Sequence, residues 1–189
     1  MADQFDPQVM VTALMGYVQE ILETKCKAKL SEKAAFLKKN IIEYDSKMRL
    51  FGLEKFDGPC YVAAINLYLT KQKLENKDCC GVIVLFLDEE IAELFVRALQ
   101  PGVSYEDPDV VMDNCGELCN IIAVQFKNEA VNFGYANLFL SAPVKAHNDI
   151  MYGVDFPFEE DFYYEISFKV KNRKAVVVSF VMANVANKN

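Results

Sequence analysis

A single histidine, His147, leaves any zinc-type centre in this chain short of ligands. Basic residues are also in deficit. Lys and Arg number 20 against 27 Asp and Glu, a formal charge of −7. That balance argues against a nucleic-acid partner, because phosphate backbones are held chiefly by Lys and Arg. Lysines do gather at residues 25–29 and 169–174. No cluster interleaves with aromatics to form a stacking groove, so both stretches read as solvated surface. Long apolar runs are missing as well, and the best of them, residues 82–87, is far too short to span a bilayer. The first residues carry Asp3 and Asp6 where a secretory signal needs basic groups and then an apolar stretch. These absences predict a cytoplasmic protein that engages neither membrane nor nucleic acid. No low-complexity linker interrupts the chain. At 52% hydrophobic residues it has enough apolar mass for one domain, residues 1–189, without disulfide staples.

What is present begins with six cysteines, Cys26, Cys60, Cys79, Cys80, Cys115 and Cys119. Cys115 and Cys119 stand four apart, on one face of any helix that holds them. A metal site would need two further ligands at supporting spacing. Cysteine is also a small buried hydrophobe, and that reading is preferred here: core thiols and no bound metal.

Capping and periodicity predict most elements. Asp6 and Pro7 open a helix carrying Val9, Met10, Leu14, Val18, Ile21 and Leu22 at helical spacing. A second helical stretch is expected after Ser31, over residues 32–39, and weak alternation over 41–53 reads as a strand. Clearer strands follow at 60–69 and 81–87, joined across polar residues 71–78. Asp88 caps a helix to Leu99, which Pro101-Gly102 stops. Asp107-Pro108-Asp109 opens another, running to about Ala130. A strand over 133–140 is expected to end at Pro143, and residues 153–160 read as loop. A hairpin closes the chain, 162–170 and 175–182, with Asn172-Arg173 in its turn. Strand runs separated by helices predict an α+β fold, an antiparallel sheet packed with helices.

The helix from Asp109 to about Ala130 holds the informative residues. At 100° per residue, Asp113, Glu117 and Asn120 fall within an arc of roughly 60°. Cys115, Leu118, Cys119, Ile122 and Phe126 occupy the other side, which should bury itself and leave the polar side facing water. Gly116 sits mid-helix, where it costs about 1 kcal/mol relative to alanine. Such a glycine gains meaning where another part of the chain approaches closely. Taken alone, a Glu and an Asn three residues apart are commonplace.

A longer pattern changes the weight of these residues. Asp113-Asn-Cys-Gly-Glu117-Leu-Cys-Asn120, then twenty-two residues, then Pro143, resembles the signature of the CheC/CheX chemotaxis phosphatases. That signature is Asp or Ser, three residues, Glu, two residues, Asn, twenty-two residues, Pro. Gly116 before the glutamate is also common in the family, and the order of elements is similar over most of the chain. Val124 departs from the pattern, standing on the same face where a small residue is usual. The glycine that normally follows the proline is missing, and residues 25–57 form a longer segment than usual.

The resemblance implies a CheC/CheX-like fold and a phosphatase acting on the aspartyl phosphate of a CheY-like receiver. It implies that the Asn120 amide orients an in-line water, while Glu117 pairs with the receiver's lysine. Mg²⁺ would sit on the receiver, with no cofactor held by this chain. Asp113 and Pro143 would have supporting roles. Neither Glu89, Glu90 and Glu93 nor Glu20 and Glu23 precede an asparagine at the required spacing. One site per chain resembles the CheX branch, which implies a homodimer with joined sheets. The alternative implied by the fold's other members is a non-catalytic receiver-binding or flagellar-switch-like adaptor.

Overall fold

Two strands apolar on both faces dictate the architecture, because each face needs its own cover. The computed structural model describes residues 6–147 and 153–184. The acidic start at 1–5 and the outer limits of the expected 1–189 domain lie outside the described residues. In chain order the elements are α1 (Pro7–Thr24), β1 (Ala35–Asn40), β2 (Glu43–Tyr44), β3 (Lys47–Met48) and α2 (Leu53–Phe56). Then come β4 (Cys60–Tyr68), α3 (Lys71–Glu75), β5 (Gly81–Asp88), α4 (Glu89–Leu99) and α5 (Pro108–Glu129). A 3₁₀ turn (Ala130–Phe133) leads into β6 (Phe139–Leu140), β7 (Val144–His147), β8 (Phe162–Val170) and β9 (Arg173–Met182). The fold is α+β, with one antiparallel sheet in the order β1-β8-β9-β5-β4-β6, and β7 also on β4.

One face packs against α1, α4 and α5, with Ile65, Ile83, Leu85 and Phe180 fully buried beneath Leu14, Val18, Ile122 and Phe126. The other face, including Val62, Val84, Phe86 and Val177, is covered by Met48, Leu50, Val154 and Phe156. The long segment between α1 and β4 therefore has a structural use. Its β2–β3 hairpin is tied down where Met48 and Val154 exchange backbone hydrogen bonds at 2.9 and 3.0 Å.

Four local expectations are corrected. Residues 32–39 are not helical: β1 lies there, paired antiparallel with β8. Ser31, just before the expected helix, instead accepts the Asn172 amide at 2.7 Å and donates its own amide to the Lys169 carbonyl at 2.9 Å. The exposed edge of β8 offered more backbone hydrogen bonds than one short helix could recover. Residues 41–53 form only the small hairpin and α2, because Asp45 and Ser46 both take positive φ and reverse the chain. Residues 133–140 contain strand only at Phe139–Leu140, since the helix tightens into its 3₁₀ turn and Gly134 (φ 89°) ends it. The closing hairpin is present, but its turn is Lys171-Asn172, both at positive φ, and Arg173 already belongs to β9. The polar 71–78 stretch also holds the short α3.

Glu165 of β8, 4% exposed, is paired with Lys55 of α2 and, at 2.8 Å, with Lys39 of β1. Burial pushes its carboxyl up, but the two ammonium groups outweigh burial and hold it below its ordinary value. Folding stability from Glu165 is therefore present above the unfolded value of 4.5 and lost as pH falls through the lower folded value. Lys55→Met should lower unfolding free energy by about 3 kcal/mol in urea titrations, and adding Glu165→Leu should recover most of it. The double variant should also lose less stability than wild type as pH drops below 4.5.

Candidate functional site on α5

The start of α5 is fixed by its own sequence. Asp107 accepts the Asp109 amide at 2.9 Å, and Pro108 occupies the first turn, where its missing N–H is harmless. Cys115, Leu118, Cys119, Ile122 and Phe126 are all 0% exposed against the sheet, which sets the helix's rotation. The opposite face carries Asp113 and Glu117, both exposed, then Asn120, half-buried, and Val124, 39% exposed. The carboxylate and the carboxamide thus stand one turn apart on an outward, regular helix. All four expected polar-face residues share that face.

Gly116 and Pro143 belong to the same region, although twenty-six residues separate them. A Cβ added at Gly116 would lie 2.6 Å from Lys145 Cδ and 3.6 Å from Pro143 Cγ. The lysine stem crosses the bare glycine, and its ammonium pairs with Asp113. Asp113 and Gly116 therefore seat α5 against β7 rather than simply lining the exposed stripe. Lys145 was missed by the sequence reading. Its only signal is a place two residues beyond the proline, on the same side of an extended strand.

Pro143 does not end the strand but interrupts it. Leu67 faces Leu140, a register that would put Pro143 opposite Ala64, yet Ala64 faces Val144. Thus β6 and β7 are one edge strand broken by a one-residue bulge, the place where a residue lacking an N–H fits. Ser141 repairs the ladder there: its amide donates to the Asn66 carbonyl and its hydroxyl accepts the Asn66 amide, each at 3.0 Å.

The acids of α4 are already engaged within the chain. Glu89 meets His147 at 3.1 Å, Glu90 pairs with Arg173, and Glu93 pairs with Arg97. Among the described residues, no three His, Cys, Asp or Glu side chains gather as a metal site. All six cysteines are buried and none forms a disulfide among the described residues. Burial pushes the Cys119 thiol up to about 12 and Cys115 well above its ordinary value, so neither is a ready nucleophile. No described helix is long and apolar enough to cross a membrane.

No protein-family model matches the chain, and no curated protein is significantly similar to it in sequence. Solved structures are similar. CheX of Desulfovibrio desulfuricans superposes with a TM-score of 0.62 at 14% identity, covering 92% of this chain and 99% of that one. A chain of the CheX–CheY–BeF3–Mg complex from Borrelia burgdorferi gives 0.59 at 13% identity, covering 96% and 100%. FliY of Thermotoga maritima gives 0.57 at 14% identity, covering 100% and 96%. The protein therefore has the CheC/CheX fold. CheX, CheC-like and FliY structures all match it over nearly the whole chain.

Two outcomes follow. Gly116→Ala should push Lys145 off Asp113, visible as amide shifts at Asp113 and Lys145. Stability should change by less than about 1 kcal/mol, because alanine's helix propensity offsets the lost surface pair. Cys115 and Cys119 should resist iodoacetamide at pH 8 in the folded protein and react at once in denaturant, as read by mass spectrometry.

Proposed function

We propose that this chain is a single-domain cytoplasmic phosphatase that hydrolyses the aspartyl phosphate of a CheY-like receiver. The observation that carries the reading is the outward Glu117/Asn120 pair, one turn apart on α5, at the signature spacing and on the CheC/CheX fold. An acyl phosphate is already activated, so hydrolysis needs chiefly a water in line with the leaving carboxylate and nearby positive charge. The receiver's Mg²⁺ and lysine supply that charge, and this chain contributes no cofactor. Asn120 is suited to place the water, since an amide both donates and accepts without adding charge beside the phosphoryl group. Glu117 is suited to pair with the receiver lysine and hold α5 in register. Asp113, Gly116, Lys145 and Pro143 keep the helix seated. The structure from Borrelia burgdorferi, in which CheX accompanies CheY, supports a receiver as the partner class. We also read the chain as a homodimer, its sheet edges paired between copies.

Val124 favours a second reading. Its exposed side chain on the same face adds bulk beside Asn120, which would suit an adaptor that binds a receiver without hydrolysing its phosphate.

Decay of a phosphorylated CheY-like receiver separates the two. Catalysis predicts faster decay with wild type and a loss of about 100-fold in that acceleration for Asn120→Ala, with an unchanged circular dichroism spectrum. Glu117→Ala should weaken receiver binding by about tenfold or more, and Glu117→Lys further. Wild-type turnover in Asn120→Ala would eliminate the role given to that amide. Tight binding of receiver with no change in decay would establish the adaptor instead.

A further inference from the structure

We propose that the sheet face opposite α5 carries a pocket for a small organic monoanion, a carboxylate on a flat apolar body. The pocket, about 230 Å³, opens between the end of β1, the β2–β3 hairpin, α2 and the start of β8. Lys39, Ile42, Arg49, Phe51, Lys55 and Tyr163 supply most of its wall. It is smaller than the roughly 300–1,000 Å³ typical of drug-sized ligands, so the occupant is small.

Arg49 is the anchor. Its guanidinium lies 5.1 Å from the centre of the Phe51 ring and 5.7 Å from that of Tyr44. No carboxylate among the described residues pairs with it. A guanidinium resting on ring faces keeps its edge N–H groups free, in the fork that fits a carboxylate.

Two buried groups lie deeper. The Lys55 ammonium sits 3.4 Å from the Tyr163 hydroxyl, beside its partner Glu165. A small recess of about 10 Å³ shares Arg49, Phe51, Lys55 and Tyr163 with the main pocket and reaches Ser179. Ser179 is 2% exposed, and its hydroxyl has no hydrogen-bond partner among the described residues. A polar atom left unpaired in a core is costly, so a ligand group that reached it would be favoured.

Charge sets the class. Lys39, Arg49 and Lys55 face Glu54 and Glu165, three positive groups against two negative, which leaves one charge for the ligand to neutralise. A monoanion balances the site; a dianion does not. Phe51, Ile42 and Tyr163 favour an apolar, planar body over a bare inorganic ion. Because α5 packs on the other face, its outward stripe stays open when this pocket is filled. No residue of α5 lines the pocket, so the site is independent of the proposed phosphatase chemistry.

The test follows amide shifts of the full chain on titration with benzoate, with benzamide as neutral counterpart and inorganic phosphate as the bare anion. Saturable benzoate shifts are expected at Arg49, Phe51, Lys55, Tyr163 and Ser179, and none between Asp113 and Val124. Benzamide should bind at least about tenfold more weakly, and Arg49→Gln, an exposed change that spares the core, should weaken benzoate by about the same factor. The proposal is overturned if benzoate gives no saturable shifts, if Arg49→Gln leaves them unchanged, or if phosphate moves the same residues at equal or lower concentration.

Discussion

The fold and the site both depend on how α5 sits on the sheet. Leu118, Ile122 and Phe126 each contribute roughly 1.5–3 kcal/mol by burial against the central strands, and two thiols fill the spaces between them. Turning the helix by one residue, 100°, would expose that face and press Glu117 into the core, where an unpaired carboxylate is far more costly. The packing that stabilises the protein is therefore what aims the carboxylate and the carboxamide at solvent. The presentation of this face is a consequence of helix rotation, which is set by residues with no chemistry of their own.

The twenty-two-residue interval between Asn120 and Pro143 has a geometric cause. From Gly116 to Glu129 the helix climbs about 20 Å, at 1.5 Å per residue. After the 3₁₀ turn and Gly134, the chain returns through β6 and the bulge to Pro143. The loop's outward and return legs must match for Pro143 to arrive beside Gly116, where the glycine has left room for the Lys145 stem. A spacing that looks arbitrary in the sequence is thus the circumference of one helix–strand unit. The bulge at residues 141–143 makes the closure fit, with the serine hydroxyl supplying the bond that the kinked backbone gives up.

Elements whose ends are marked by caps were legible: Asp6-Pro7, Asp88 and Asp107-Pro108 all open helices where the sequence places them. The two central strands were legible as short, continuous apolar runs bounded by polar and turn residues. Residues 32–39 misled because Lys-Ala-Ala-Phe-Leu is a sound helical pattern locally. Its fate is decided by the β8 edge, which lies about 130 residues away and which no local propensity reports. The candidate pair was legible as an outward face, since periodicity alone assigns it. What periodicity could not give was the contact between Gly116 and Lys145, or the cover that the 41–57 segment places on the second face. Both are tertiary, with partners that share neither a helix nor a hairpin.

An outward face of a straight helix is convex, and this limits the chemistry open to it. A small substrate is held by surrounding it, which a single exposed stripe with a half-buried amide cannot do. In the proposed reaction, the partner of Glu117 and Asn120 has to bring its own concavity, and with it most of the groups that stabilise a transition state. A protein that offers one anionic hydrogen-bond acceptor and one neutral amide is equipped to complete a partner's active site rather than to form one. The sheet beneath then needs only to be rigid, and burial on both of its faces provides that. Covering the second face with a long segment, and not leaving it to solvent, stiffens the platform from which α5 is presented.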